Sequence, residues 1–178
     1  MTYQLNATLC TALLLGAACT PPAALALSDL QQGTPFTMDS RLGQGRWTVV
    51  EVWSATCPAC PDAVFYMNNF KRRYPQADVF GISVDEDEGR EAGRAMAQQF
   101  ARRHQLGFTS YLGSSMELDS LLQRQAGETL YGTPTVLIYD PVGKLKGMEA
   151  GAIISQDIID FIEREKANTD PDSASVPE

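Results

Sequence analysis

The chain has 178 residues, 44% of them hydrophobic and 20% charged, which suits one domain with a substantial core. Its net charge of −8, with no basic stripe, excludes the electrostatic footprint of a nucleic-acid binder. No repeat or low-complexity tract breaks the chain, and the charge speaks for solubility rather than for any one fold.

The first 26 residues contain no charged side chain. Leu9 to Ala18 is a short apolar run, Pro21-Pro22 breaks it, and Ala24-Leu25-Ala26 supplies an A-x-A site. Roughly ten apolar residues are too few to span a bilayer, so residues 1–26 read as a secretory signal peptide, though without the usual basic start. Cleavage after Ala26 would remove Cys10 and Cys19. The rival reading is a bacterial lipoprotein signal cut before Cys19, in Leu15-Gly16-Ala17-Ala18-Cys19, which leaves a lipid anchor and a membrane attachment. Gly16 stands where that pattern wants Leu, and the soluble product is favoured. Both readings place the domain in a periplasmic or otherwise extracytoplasmic compartment, where disulfides persist.

Residues 27–45 form a Gly- and Pro-containing lead-in with a short strand near Phe36. Trp47 to Trp53 is β-branched and aromatic and reads as a buried strand. Residues 58–74 carry Val64, Phe65, Met67, Phe70 and Tyr74 at mixed helical spacing. A second strand, Ala77 to Val84, runs into Asp85-Glu86-Asp87-Glu88. Residues 89–105 place Ala92, Met96 and Phe100 four apart, a helical stripe that Arg102, Arg103 and His104 close with cations suited to the helix dipole.

Phe108 to Leu112 is a short strand. Ser114-Ser115-Met116-Glu117 reads as a capping box opening a helix with Leu118, Leu121 and Leu122. Thr135–Tyr139 and Lys144–Ala150 flank Asp140-Pro141-Val142-Gly143, a type I turn sequence, and so form a hairpin. Ser155 caps a last helix with Ile158, Ile159, Phe161 and Ile162. From residue 168 to 178 the tail is polar with two prolines and reads as disordered. The alternation of strands and helices implies an α/β domain over residues 27–167, with parallel strands first and an antiparallel hairpin after them.

Cys57-Pro58-Ala59-Cys60 carries the chemistry. A thiol of ordinary pKa near ~8.5 is a weak nucleophile at neutral pH, and a helix N-terminus activates it. With Cys57 at the N-cap, Pro58 takes the first helical position and Cys60 the third, the more buried of the two. Pro61 would then fall fourth, losing one backbone bond and kinking the helix slightly. A zinc site needs four ligands and no second C-x-x-C exists, while haem attachment needs His where Pro61 stands. The one histidine, His104, reads as a solvated partner of its helix dipole. An inert disulfide across two residues would constrain little chain entropy. A soft-metal module remains as the rival, since two thiolates suit Cu(I), with Met67 or Met148 joining only if near Cys57.

Glu51 interrupts the first strand, where a carboxylate is costly unless partnered or protonated. Alternation puts Val50 and Val52 on one face and Glu51 with Val49 and Trp53 on the other. A raised pKa would let Glu51 shuttle the Cys60 proton. Thr133-Pro134, just before a strand, is the remaining signal.

Together, residues 49–60 and 132–144 resemble the thioredoxin superfamily, most closely its exported TlpA-like branch of ResA-type and cytochrome c maturation thiol–disulfide oxidoreductases. The resemblance spans roughly residues 30–166. It implies a thioredoxin-like fold, a mixed central sheet flanked by helices, with an inserted helix–strand segment between Asp85 and Thr133. It implies Cys57 as nucleophile, Cys60 as resolving thiol, a cis Thr133–Pro134 bond whose Thr133 backbone pairs with substrate, and Trp53 packed beside the site as a third substrate-binding residue with Thr133 and Pro134. No cofactor or resident metal follows from it. Partners would be proteins bearing disulfides or thiols, with a membrane electron donor as a further partner. A reductase is favoured over a disulfide-forming oxidant. Thr56 before the first cysteine, Pro61 after the second, and no lysine opposite Glu51 depart from the family pattern.

Overall fold

A computed structural model describes residues 25–169. Most of the expected signal segment, with Cys10 and Cys19, and the tail from residue 170 lie outside the described residues. Seven strands and four helices follow in the order β1 (Leu27–Asp29), β2 (Pro35–Phe36), β3 (Thr48–Trp53), α1 (Cys60–Arg73), β4 (Asp78–Ser83), α2 (Arg90–Arg103), β5 (Thr109–Leu112), α3 (Ser115–Ala126), β6 (Thr135–Tyr139), β7 (Leu145–Ala150) and α4 (Ser155–Thr169). The last helix thus runs two residues into the expected tail.

The strands make one sheet in the order β2-β1-β5-β4-β3-β6-β7. β3, β4 and β5 are parallel, as βαβ crossovers require, whereas β6 and β7 return antiparallel across a tight turn. Asp140 accepts from the Gly143 N–H at 2.9 Å in that turn, as its sequence implies. The sequence left β1 unread: three residues carry too little alternation to register as a strand. Pairing with β5 and three contacts from Arg94, to Ser28 Oγ and the carbonyls of Asp29 and Leu30, fix it.

Burial on both faces explains the near-continuous apolar run of β3, whose six residues are all buried. Val49 and Trp53 face a core with Cys60, Val64, Met67 and Phe70 of α1, Ala97 and Phe100 of α2, and Ile158 and Ile162 of α4. Val50 and Val52 face the other core, against Leu118 and Leu122 of α3 and Leu25, Leu27, Met38 and Leu42 of the lead-in. Three helices therefore cover the cysteine face and one covers the opposite face.

Three local expectations are corrected. The buried stripe of α2 is Gly93, Ala97, Phe100 and Ala101, with Ala92 exposed and Met96 at the edge. Small residues face inward because α2 lies close against the chain at Asp85; a Cβ on Gly93 would stand 1.9 Å from the Asp85 carbonyl oxygen. The Ser114 hydroxyl makes no cap bond: Asp87 accepts the Ser115 N–H from outside the helix, and Glu117 accepts from the Ala26 N–H instead. Ser155 is already helical, and its hydroxyl donates to the Tyr66 carbonyl at 2.6 Å, tying α4 to α1.

Candidate active site

β3 ends at Trp53, and the loop 54–59 carries the chain onto α1 with a disulfide between Cys57 and Cys60, their Cα atoms 5.4 Å apart. Cys57 is 9% exposed and Cys60 is wholly buried, so only the first sulfur can meet a partner. The regular helix begins at Cys60, not after Cys57. Pro61 has no N–H to give the Cys57 carbonyl, which accepts from Cys60 N–H at 3.3 Å instead. Pro61 thereby falls in the first turn of α1, where a missing N–H costs nothing, and the expected loss of an interior bond does not arise.

Thr133 and Pro134, 76 residues along the chain, lie against this turn. Their peptide bond is cis, and the Thr133 carbonyl oxygen stands 3.3 Å from Cys57 Sγ. In the disulfide the sulfur has no hydrogen to donate, so this is a contact; in the dithiol form the Cys57 S–H faces a ready acceptor. A hydrogen bond made by the neutral thiol favours that form over the thiolate. Thr133 is half-buried and Pro134 buried, at the mouth of β6.

Glu51 faces the cysteine core with Val49 and Trp53, opposite Gly81 on β4 and Val136 on β6. It is 1% exposed and its Oε1 has no hydrogen-bond partner. Burial alone pushes its carboxyl well above the ordinary carboxylate value. Trp53 is wholly buried, so the expected contact with substrate is replaced by support from beneath. Its ring stacks on Phe100 at 4.9 Å, and Nε1 donates to Ser110 Oγ at 2.9 Å. Gly81 makes this possible, since a Cβ there would meet both Trp53 Nε1 and Ser110 Oγ within 3 Å.

Asp85 is the residue that motif reading passed over. It is 2% exposed, and its carboxylate accepts from Ser54 Oγ (2.7 Å), Ala55 N–H (2.9 and 3.0 Å) and Ser83 Oγ (2.6 Å). Ser54 Oγ in turn accepts from the Thr56 N–H, so Asp85 anchors the loop up to the residue before Cys57. The signal lay in the register: Trp53 pairs with Ser83, so Ser54 and Asp85 leave adjacent parallel strands together.

His104 is not the solvated helix-end residue expected of it. It is half-buried, with its ring 4.4 Å from that of Phe100, and lines a cavity of about 390 Å³ that also touches Cys57. Met67 shares the core of the cysteines, whereas Met148 packs in the opposite layer, away from Cys57. Among the described residues no cluster of three or more His, Cys, Asp or Glu side chains is placed to hold a metal ion.

The profile of the AhpC/TSA family matches residues 20–148. No curated protein matches the chain. Solved structures do, at the level of fold. The thioredoxin domain of a thiol–disulfide oxidoreductase from Bacteroides vulgatus superposes with a TM-score of 0.61 and 18% identity, over 80% of this chain and 93% of that one. StoA from Bacillus subtilis gives 0.59 and 16%, over 80% and 98%. A secreted Mycobacterium tuberculosis disulfide oxidoreductase homologous to E. coli DsbE gives 0.58 and 19%, over 79% and 96%. The architecture is therefore thioredoxin-like, as the sequence implied, with α2 and β5 inserted beside the cysteine loop.

Proposed function

The chain belongs to the AhpC/TSA family, and from that premise we propose that it acts outside the cytoplasm as a thiol–disulfide oxidoreductase working through Cys57 and Cys60. The observation that carries this reading is the site itself: a disulfide with one wholly buried cysteine and one slightly accessible, the sulfur of the latter 3.3 Å from the Thr133 carbonyl. Cys57, Cys60 and Glu51 are the catalytic set. Thr133 and Pro134 border the path of the partner's chain, and Trp53 supports the site from below.

In the reducing direction the dithiol form starts the cycle. The Cys57 thiolate attacks one sulfur of the partner's disulfide, the Cys57–partner bond forms, the partner's S–S bond breaks, and one partner thiolate leaves. Glu51, in its carboxylate form, then takes the Cys60 proton as Cys60 attacks Cys57, and releases it to water once the partner has left. The Cys57–Cys60 bond forms, the mixed disulfide breaks, and the second partner thiolate leaves with the electron pair. Two electrons have passed to the partner, and an external dithiol, for example on a membrane donor, restores the reduced form. A carboxyl raised by burial above its ordinary value suits this shuttle.

Local chemistry favours a reductant. A stabilised thiolate favours the reduced form and makes a strong oxidant. Here Pro61 removes an N–H group from the first turn of α1, leaving one donor fewer to stabilise a Cys57 thiolate. The secreted neighbour and the charge-free N-terminal segment support an extracytoplasmic site of action. Leu25 packs in the core at 6% exposure, and a cut before Cys19 would retain it whereas one after Ala26 would not. Protein disulfides are the substrate class.

Equilibration with glutathione tests the direction. The expected potential is near about −270 mV, that of a reductant such as thioredoxin; a value near about −120 mV, that of a strong oxidant, would reverse it. Cys57→Ser abolishes reduction of insulin by the protein, and activity retained in that variant would remove the enzymatic reading altogether.

A further inference from the structure

The inserted helix α2 does more than cover the sheet. Its last turn forms one wall of the cavity of about 390 Å³ whose other wall is the cysteine loop, with Thr56, Cys57 and Pro61 facing Phe100, Arg103 and His104. That volume is at the small end of ligand clefts and fits one or two side chains. In a chain of net charge −8, the ionisable groups lining this cavity, apart from the cysteine, are Arg103 and His104, and no carboxylate lines it. Arg103 is exposed, and among the described residues no carboxylate forms an ion pair with it. The imidazole of His104 is held against the Phe100 ring, which itself stacks on Trp53 beneath the site.

The far side of the cysteine loop has the opposite charge. There Asp87 and Glu88 line a second cavity with Ser54, Tyr131 and Thr133. A partner's segment crossing Cys57 thus meets donors and positive charge on one flank and acceptors and negative charge on the other.

We propose that the α2 cavity receives the residue beside the target disulfide and selects partners that carry a carboxylate there, an acidic side chain binding the Arg103 guanidinium and the His104 ring N–H. This rests on the thiol–disulfide reading and specifies its substrate class. Charge at such a rim acts mainly on the rate of productive encounter and is screened by salt. Two donors at the edge of the cleft are enough for a discrimination of about tenfold.

The test uses the reduced full chain and three small disulfides of different charge: 5,5′-dithiobis(2-nitrobenzoate), a dianion; cystamine, a dication; and neutral 2-hydroxyethyl disulfide. In each case Cys57 forms a mixed disulfide, one probe thiolate leaves, and Cys60 closes the protein disulfide as the second leaves. In Arg103→Glu the ratio of the dianion rate to the dication rate is expected to fall about tenfold at low salt, and the change to shrink in 1 M salt, where screening lengths are about 3 Å. Arg124→Glu on the exposed face of α3 is the control and is expected to leave the ratio alone. A ratio unchanged in Arg103→Glu, or one that shifts equally in Arg124→Glu, overturns the proposal. Failure of the wild-type chain to react with even the neutral probe overturns the thiol–disulfide reading and this proposal with it, an outcome distinct from a lost charge preference.

Discussion

Glu51 and Asp85 are both buried carboxyls on or just past adjacent parallel strands, 1% and 2% exposed, and the fold treats them in opposite ways. Asp85 is met by three donors and holds the cysteine loop through Ser54 and Ala55. Glu51 is given no partner at Oε1, and burial lifts its carboxyl well above the ordinary value. Burying a carboxyl costs free energy unless it is hydrogen-bonded or keeps its proton, and these two residues represent the two solutions. One is a fixed tether. The other is a carboxyl whose neutral form burial favours.

The sharpest way to break this contrast is to remove the tether. Asp85→Ala leaves the Ala55 N–H and two serine hydroxyls facing an empty site, and each unsatisfied buried donor costs about 1–3 kcal/mol. The expected loss of stability in urea is about 3 kcal/mol; a loss below about 0.5 kcal/mol, the range of an ordinary surface substitution, would show that Asp85 anchors nothing.

Glu51→Gln tests the other side. It is expected to slow closure by Cys60 about 10²-fold, the lower end of what a positioned acid–base group supplies, while the first attack by Cys57 keeps its rate. Stopped-flow separation of the two phases reads this directly, and equal slowing of both would assign Glu51 a packing role.

The same variant carries a smaller effect on stability. Because burial raises the folded carboxyl above the unfolded value of about 4.3, the native state holds the extra proton between the two values. Stability is therefore full below the unfolded value and falls as pH rises toward the folded one, by at most about 1.4 kcal/mol per unit. Glu51→Gln matches wild type at pH 4 and exceeds it at pH 8; an unchanged pH slope would contradict a held proton.

Much of the scaffold was legible because its signals are local. The β-branched run of β3, the Asp-Pro-Val-Gly turn and the leucines of α3 each fix an element from a few neighbouring residues. Cys57 and Thr133 were singled out by motif, and the structure brings them into contact. What escaped notice depends on chain folding back on itself. Asp85 became a tether only through the pairing of Trp53 with Ser83, and His104 reached the cysteine cavity only because α2 docks through Gly93, Ala97, Phe100 and Ala101 rather than through Ala92 and Met96. The capping of α3 by Asp87 and the later start of α1 have the same origin, a partner or a missing N–H outside the local pattern.

Both carboxyls matter only if Cys57 and Cys60 divide the labour as their burial implies. Mass mapping of the adduct formed when the reduced Cys60→Ser variant meets a peptide disulfide tests that division most directly. Expected is a stable mixed disulfide through Cys57, with no comparable adduct in Cys57→Ser. No adduct in Cys60→Ser, or an equal one through Cys60 in Cys57→Ser, would contradict it.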